Sequence, residues 1–157
     1  MNTARRMLLK GAAAGALLTT GIATGLIGIK NAVAAAWPKD AFADHAPIDS
    51  VLQALHQQAD ATTDDRIQIE APGTAEVGAS VPITITANIP DIRSISLFSE
   101  KNAVPLVAHY EFFGEDQGYI STRIKMADTG LVTAVVKTGN GLYKAARSVT
   151  VPVGGAC

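Results

Sequence analysis

The sequence predicts an all-β chain, folded as an immunoglobulin-like antiparallel β-sandwich with one N-terminal amphipathic helix. After Arg66, apolar and polar residues alternate with a period of two, as half-buried strands do. Turn material separates these segments at the short intervals of a sandwich. Ahead of them, one stretch carries apolar residues at three-and-four spacing, the mark of a helix packed by one face.

Residues 1–36 read as a twin-arginine-type export signal rather than as part of the fold. Arg5-Arg6 before Met7-Leu8-Leu9-Lys10 resembles that signal, with Ala4 where Ser or Thr is commoner. Gly11 to Ile29 runs nineteen residues without a charge, and Ala32-Val33-Ala34-Ala35-Ala36 offers A-x-A cleavage after Ala34 or Ala36. That length approaches the ~20 residues of a spanning helix, but five glycines make the stretch only mildly apolar, so cleavage is expected rather than anchoring. Without the leader, nine basic residues face fourteen acidic ones, a net charge of -5. The mature protein is expected to be soluble and to work outside the cytoplasm.

Residues 37–65 form an N-terminal helical segment. Ile48, Val51, Leu52, Leu55 and Ala59 predict a helix over Ile48–Ala59, with Asp49 as its N-cap after Pro47 and Thr62-Thr63-Asp64-Asp65 as a polar connection. Residues 66–153 form the sandwich. Strands are predicted where Ile67 and Ile69, then Val81, Ile83 and Ile85, then Ile120, Thr122, Ile124 and Met126, then Val149, Val151 and Val153 alternate with their neighbours. Others are placed at Ile92–Ser99, Leu106–Phe113, Leu131–Thr138 and Leu142–Arg147, between Pro90-Asp91, Gly114–Gly118 and Asp128-Thr129-Gly130. Thr138-Gly139-Asn140-Gly141 is the strongest hairpin signal. The helix is expected to pack on one sheet or on a partner.

Much chemistry is absent. The near-neutral charge and 5% aromatic content give no footprint for nucleic acid. A single cysteine excludes an intramolecular disulfide framework and a cysteine-based zinc site. His45, His56 and His109 lack metal-binding spacing and read as ordinary surface or partly buried histidines. Glu115-Asp116, between Gly114 and Gly118, reads as a solvated turn rather than a carboxylate pair for acid–base work. Neither a G-x-S-x-G elbow nor a phosphate-cradling loop occurs. No metal, catalytic residue or cofactor is therefore assigned, and neither nucleic acid nor, once the leader is removed, a membrane is an expected partner.

Residues 154–157 carry the information. Gly154, Gly155 and Ala156 form a flexible arm ending in Cys157, since glycines impose no shape. Four residue steps at ~3.3–3.6 Å let the sulfur range ~13–14 Å beyond Val153, enough to enter a narrow pocket of another protein. No Lys, Arg or His follows Arg147, and the chain's own α-carboxylate is expected on Cys157, raising its thiol pKa. Activation must then come from whatever receives the arm. Cys157 reads as a covalent attachment point for substrate rather than a catalyst. Two alternatives stand beside this: an exported immunoglobulin-like binding subunit whose cysteine only forms an intermolecular disulfide, and a stand-alone thiol enzyme, which the tethered, acid-flanked position argues against.

With these residues in view, the chain resembles the SoxY family of bacterial thiosulfate-oxidation carriers. The resemblance runs through the twin-arginine-like signal, the helix after Trp37-Pro38, and Ile69-Glu-Ala-Pro-Gly-Thr-Ala-Glu-Val-Gly-Ala-Ser-Val-Pro-Ile83. It continues through Asn102-Ala-Val-Pro-Leu-Val-Ala108 and Thr122-Arg-Ile-Lys125 to the glycine-rich cysteine terminus. It implies a periplasmic sulfur carrier without turnover of its own, paired with a small β-rich subunit, SoxZ. In the family a haem protein, SoxXA, couples thiosulfate oxidatively to the arm cysteine, and a dimanganese hydrolase, SoxB, releases sulfate. In some organisms a molybdenum-haem dehydrogenase, SoxCD, oxidises the remaining sulfur. Cys157 maps onto the carrier cysteine and Gly154 and Gly155 onto its preceding glycines. The usual ending is Gly-Gly-Cys-Gly. Here Ala156 precedes the cysteine and nothing follows it, so partners that grip residues beyond the cysteine are expected to lose that hold.

Overall fold

The computed structural model of the chain describes residues 38–113 and 118–152. A 3-10 turn at Lys39–Phe42 precedes helix α1 (Ile48–His56). The strands follow as β1 (Thr62–Thr63), β2 (Ile67–Glu70), β3 (Val81–Ala87), β4 (Ile92–Ser99), β5 (Leu106–Glu111), β6 (Gly118–Ile124), β7 (Gly130–Thr138) and β8 (Gly141–Val149). They make a five-stranded sheet ordered β1-β8-β7-β4-β5 and a three-stranded sheet ordered β2-β3-β6. Every pairing is antiparallel except β1 on β8, where Thr62 and Thr63 lie parallel to Tyr143 and Lys144. The fold is the all-β sandwich with one short helix that the sequence predicts.

The two sheets enclose a core of Ile67, Ile69, Val81, Ile83 and Ile85 from the smaller sheet and Ile95, Leu97, Val132, Ala134, Val136 and Val149 from the larger. The larger sheet is also buried on its other face. There Val51 and Leu52 of α1 pack with Ala41 on Phe98, Leu106, Val135 and Leu142. Full burial of each such aliphatic side chain stabilises the fold by about 1.5–3 kcal/mol. This second layer explains two kinds of strand. β2 and β3 face water on one side and alternate cleanly, whereas β4, from Ser94 onward, is buried on both sides. Its outward serines, Ser94 and Ser96, lie near or beneath the helical layer with Phe98.

Several local expectations are corrected. The helix stops at His56 rather than Ala59, because Gln57 takes a left-handed conformation (φ 58°) and its N–H donates to the Gln53 carbonyl at 3.0 Å. Asp49 is not the N-cap. Pro47 holds that position without a side-chain cap, and Asp49 sits in the first turn, where its charge faces the positive end of the helix dipole. Thr62-Thr63 is not merely connecting chain but the edge strand of the large sheet. Val149–Val153 is no separate strand: β8 runs unbroken to Val149 opposite Gly130, where β7 begins, so no ladder partner exists beyond it. β5 likewise ends at Glu111, and Phe113 stands 82% exposed. The β7–β8 hairpin matches its signal, with Gly139-Asn140 as a two-residue loop between paired Thr138 and Gly141. Asn140 N–H donates to Thr138 Oγ1 at 3.1 Å, and any side chain at position 139 would collide with the Asp91 carboxylate.

Candidate functional site

The sequence places the site on Gly154, Gly155, Ala156 and Cys157, which lie outside the described residues, as do the leader and the Glu115-Asp116 turn. What the structure describes is the mooring from which those four residues leave. Past Val149 the chain is stitched to two loops. Thr150 N–H donates to the Gly73 carbonyl at 2.9 Å, Ala75 N–H donates back to the Thr150 carbonyl at 2.8 Å, and Thr74 bridges Thr150 in parallel. On the other side Val151 N–H donates to Thr129 Oγ1 at 2.9 Å, and that hydroxyl donates to the Val151 carbonyl at 3.2 Å. One threonine thus satisfies both backbone groups of a residue that has left the sheet.

Val151 itself is buried in the inter-sheet core. It gets there because Gly78 has no side chain: a Cβ at that position would lie 2.5 Å from the Met126 carbonyl oxygen and 2.8 Å from Val151 Cγ1. Gly78 and Met126 are joined by a backbone bond of 2.8 Å, so the two loops flanking the exit hold each other as well as the chain. Glycine is the residue that permits this backbone approach. The last described residue, Pro152, is exposed and has no N–H to give. Everything up to Val151 is anchored, and the chain beyond starts from a fixed point.

A second cluster lies on the outer face of the large sheet. The rings of His56, at the end of α1, and His109, on β5, stand 5.7 Å apart and tilted by 45°. Ser96 Oγ on the neighbouring strand shares a 2.9 Å hydrogen bond with His109 Nδ1. His56 Nε2 is buried without a hydrogen-bond partner. Burial, then the proximity of His109 and Lys137, holds the His56 pKa down at about 4, below its ordinary 6.5. Burial also lowers that of His109, against a smaller opposing pull from Glu111. Both rings are therefore neutral at pH 7. Each histidine is half-buried, as its position suggests, but their meeting was not legible, because it depends on where α1 crosses β5. His45 is apart from them, on the loop before α1, with its N–H on the Ala103 carbonyl.

Among the described residues, no three His, Cys, Asp or Glu side chains lie together as a metal-binding group, and no helix is long and apolar enough to cross a membrane.

The structure can be compared with known proteins on this basis. A family model described as Sulfur oxidation protein SoxY matches residues 52–157, from the middle of α1 through the mooring to Cys157. The solved structure of the sulfur carrier protein SoxY from Chlorobium limicola f thiosulfatophilum is similar at 35% identity and a TM-score of 0.62, covering 67% of this chain and 96% of that one. A superoxide reductase (neelaredoxin) from Ignicoccus hospitalis shares the fold alone, at 18% identity and a TM-score of 0.51, covering 59% of this chain and 95% of that one. No curated protein matches in sequence. The extent of the family match and the kinship with a solved SoxY agree with a sandwich whose last strand runs into a moored exit, and the chain belongs to the SoxY family.

Proposed function

We propose that the protein is a sulfur carrier that holds thiosulfate-derived intermediates covalently on Cys157 while partner enzymes act on them. The observation that carries this is the family match extending through residue 157, past a terminal mooring that is fixed by hydrogen bonds on both sides. Gly154 and Gly155 restrict the chain little, so the sulfur is presented away from the body. The protein supplies the tether and the thiol, and it has no turnover of its own.

Loading joins a thiolate to thiosulfate: Cys157–S⁻ and S₂O₃²⁻ become Cys157–S–S–SO₃⁻, with two electrons passing to a haem-protein partner of SoxXA type. Hydrolysis by a SoxB-type dimanganese enzyme then consumes one water. It releases sulfate and two protons and leaves Cys157–S–S⁻. A SoxCD-type dehydrogenase is the class that oxidises the remaining sulfane sulfur, and a SoxZ-like subunit is the expected companion of the sandwich. Export by the twin-arginine route to the periplasm follows from Arg5-Arg6 and the uncharged run to Ile29.

Intact-mass analysis after incubation with thiosulfate and partner enzymes should find adducts on Cys157, and Cys157→Ser should abolish both adducts and oxidation. Normal oxidation by the serine variant would refute the proposal. A species linked only by disulfide, indifferent to sulfur substrates, would favour the binding-subunit alternative.

A further inference from the structure

The mooring shares a wall with a cleft. On the solvent face of the small sheet, at the end where the chain leaves, Thr74, Glu76, Val77, Ser80, Pro82 and Arg123 line a cavity of about 380 Å³. Thr74 belongs to both features: it lines the cleft and bridges Thr150. Arg123 stands on β6 opposite Pro82 of β3, and its Nη1 donates to Ser80 Oγ at 3.5 Å. Arg123 makes no ion pair among the described residues, in contrast with Arg66 and Arg93, which sit on Asp64 and Asp91. Glu76 is the one carboxylate in the lining.

We propose that this cleft receives the loaded arm of the same chain, with Arg123 and the Ser80 and Thr74 hydroxyls holding the sulfonate end of a Cys157 thiosulfonate. The inference rests on Cys157 being the attachment point. Cys157 lies seven residues beyond Thr150, a span of up to ~23–25 Å when extended. The cleft begins at Thr150's own bridge partner, so the arm reaches it with slack for a turn. A sulfonate is fully ionised and accepts from a guanidinium fork as a carboxylate does, whereas an unloaded thiol offers Arg123 nothing comparable. Docking is therefore specific to the loaded state.

Glu76 opposes a second negative charge, so the site suits a tethered monoanion better than free sulfate. A lone exposed arginine binds a free monoanion weakly, but a short tether supplies an effective concentration in the millimolar range. Half-occupancy or somewhat more follows, which shields the cargo about two- to five-fold.

The test loads the full chain chemically. Tetrathionate converts Cys157–S⁻ and S₄O₆²⁻ into Cys157–S–S–SO₃⁻ and S₂O₃²⁻, and intact mass verifies the adduct. Release by dithiothreitol should be two- to five-fold slower in wild type than in Arg123→Gln. Amide NMR signals of Glu76–Ser80 should move on loading in wild type but not in the variant. Arg123 is exposed, so an unchanged thermal midpoint is expected for the variant. Equal release rates and unmoved signals in a verified adduct would overturn the cleft and leave the carrier reading intact. Protection that grows with protein concentration would also overturn it, by showing arms docked into neighbouring molecules. Failure to load Cys157 at all would sink both.

Discussion

Acidification should loosen the α1 face of the large sheet, through the paired histidines. The pKa of His56 is about 4 in the folded chain against an ordinary 6.5, chiefly because the ring is buried, and then because His109 and Lys137 stand near. The unfolded chain thus binds more protons across that interval, and stability rises with pH. The contribution is complete above about pH 6.5 and is lost as pH falls from there to about 4. At about 1.36 kcal/mol per unit, the interval corresponds to a ceiling of ~3.4 kcal/mol. Since the ring is only half-buried, solvent screening reduces this to about 1–2 kcal/mol. His109, also lowered by burial, acts in the same direction. Asp64 does not confuse the window: its carboxyl, held at about 2 by Arg66, loses its contribution only at lower pH. Urea unfolding followed by circular dichroism at pH 7 and pH 4.5 measures the loss. His56→Leu removes both the titrating ring and an unpartnered buried nitrogen, so it should match wild type at pH 7 and lose less at pH 4.5. Equal stability of the wild type at the two pH values, or an undiminished loss in the variant, would refute the argument.

Other expectations concern the mooring and the helical layer. Thr129→Val keeps shape but strips Val151 of both hydrogen bonds, and urea unfolding should show a loss of about 1–3 kcal/mol, with faster hydrogen exchange at the Val151 amide. Gly78→Ala drives a Cβ against the Met126 carbonyl and Val151, and should destabilise by about 1–3 kcal/mol in the same assay. Leu52→Ala opens a cavity over Phe98 and Val135 and should cost about 2–5 kcal/mol, since Leu52 is fully buried.

The fold was legible where one side of a strand meets water. Ile67 and Ile69, or Val81, Ile83 and Ile85, announce their inward face because Gln68 and the β3 threonines oppose them. β4 and β7 lack that contrast, being covered on both sides, yet their apolar runs and the Gly139-Asn140 turn still bounded them. Thr62-Thr63 was missed because two residues carry no period and the strand exists only through its contact with β8. The end of β8 was misjudged for the opposite reason: Val149, Val151 and Val153 do alternate, but a strand requires a partner, and β7 starts at Gly130. The candidate arm was readable as composition, whereas its mooring by Thr129, Gly73 and Gly78 joins loops far apart in sequence and has no local signature. The cleft at Arg123 is of the same kind.

The attachment of the arm to β8 has a mechanical consequence. β8 faces β7 over nine residue pairs and carries β1 on its other edge. Ladder hydrogen bonds run across the strands, so a pull along the chain from Pro152 strains many of them together in shear rather than unzipping them one by one. The stitches at Thr129 and Gly73 meet that load first. An enzyme that grips and tugs the terminus therefore works against a cable anchored deep in the sheet.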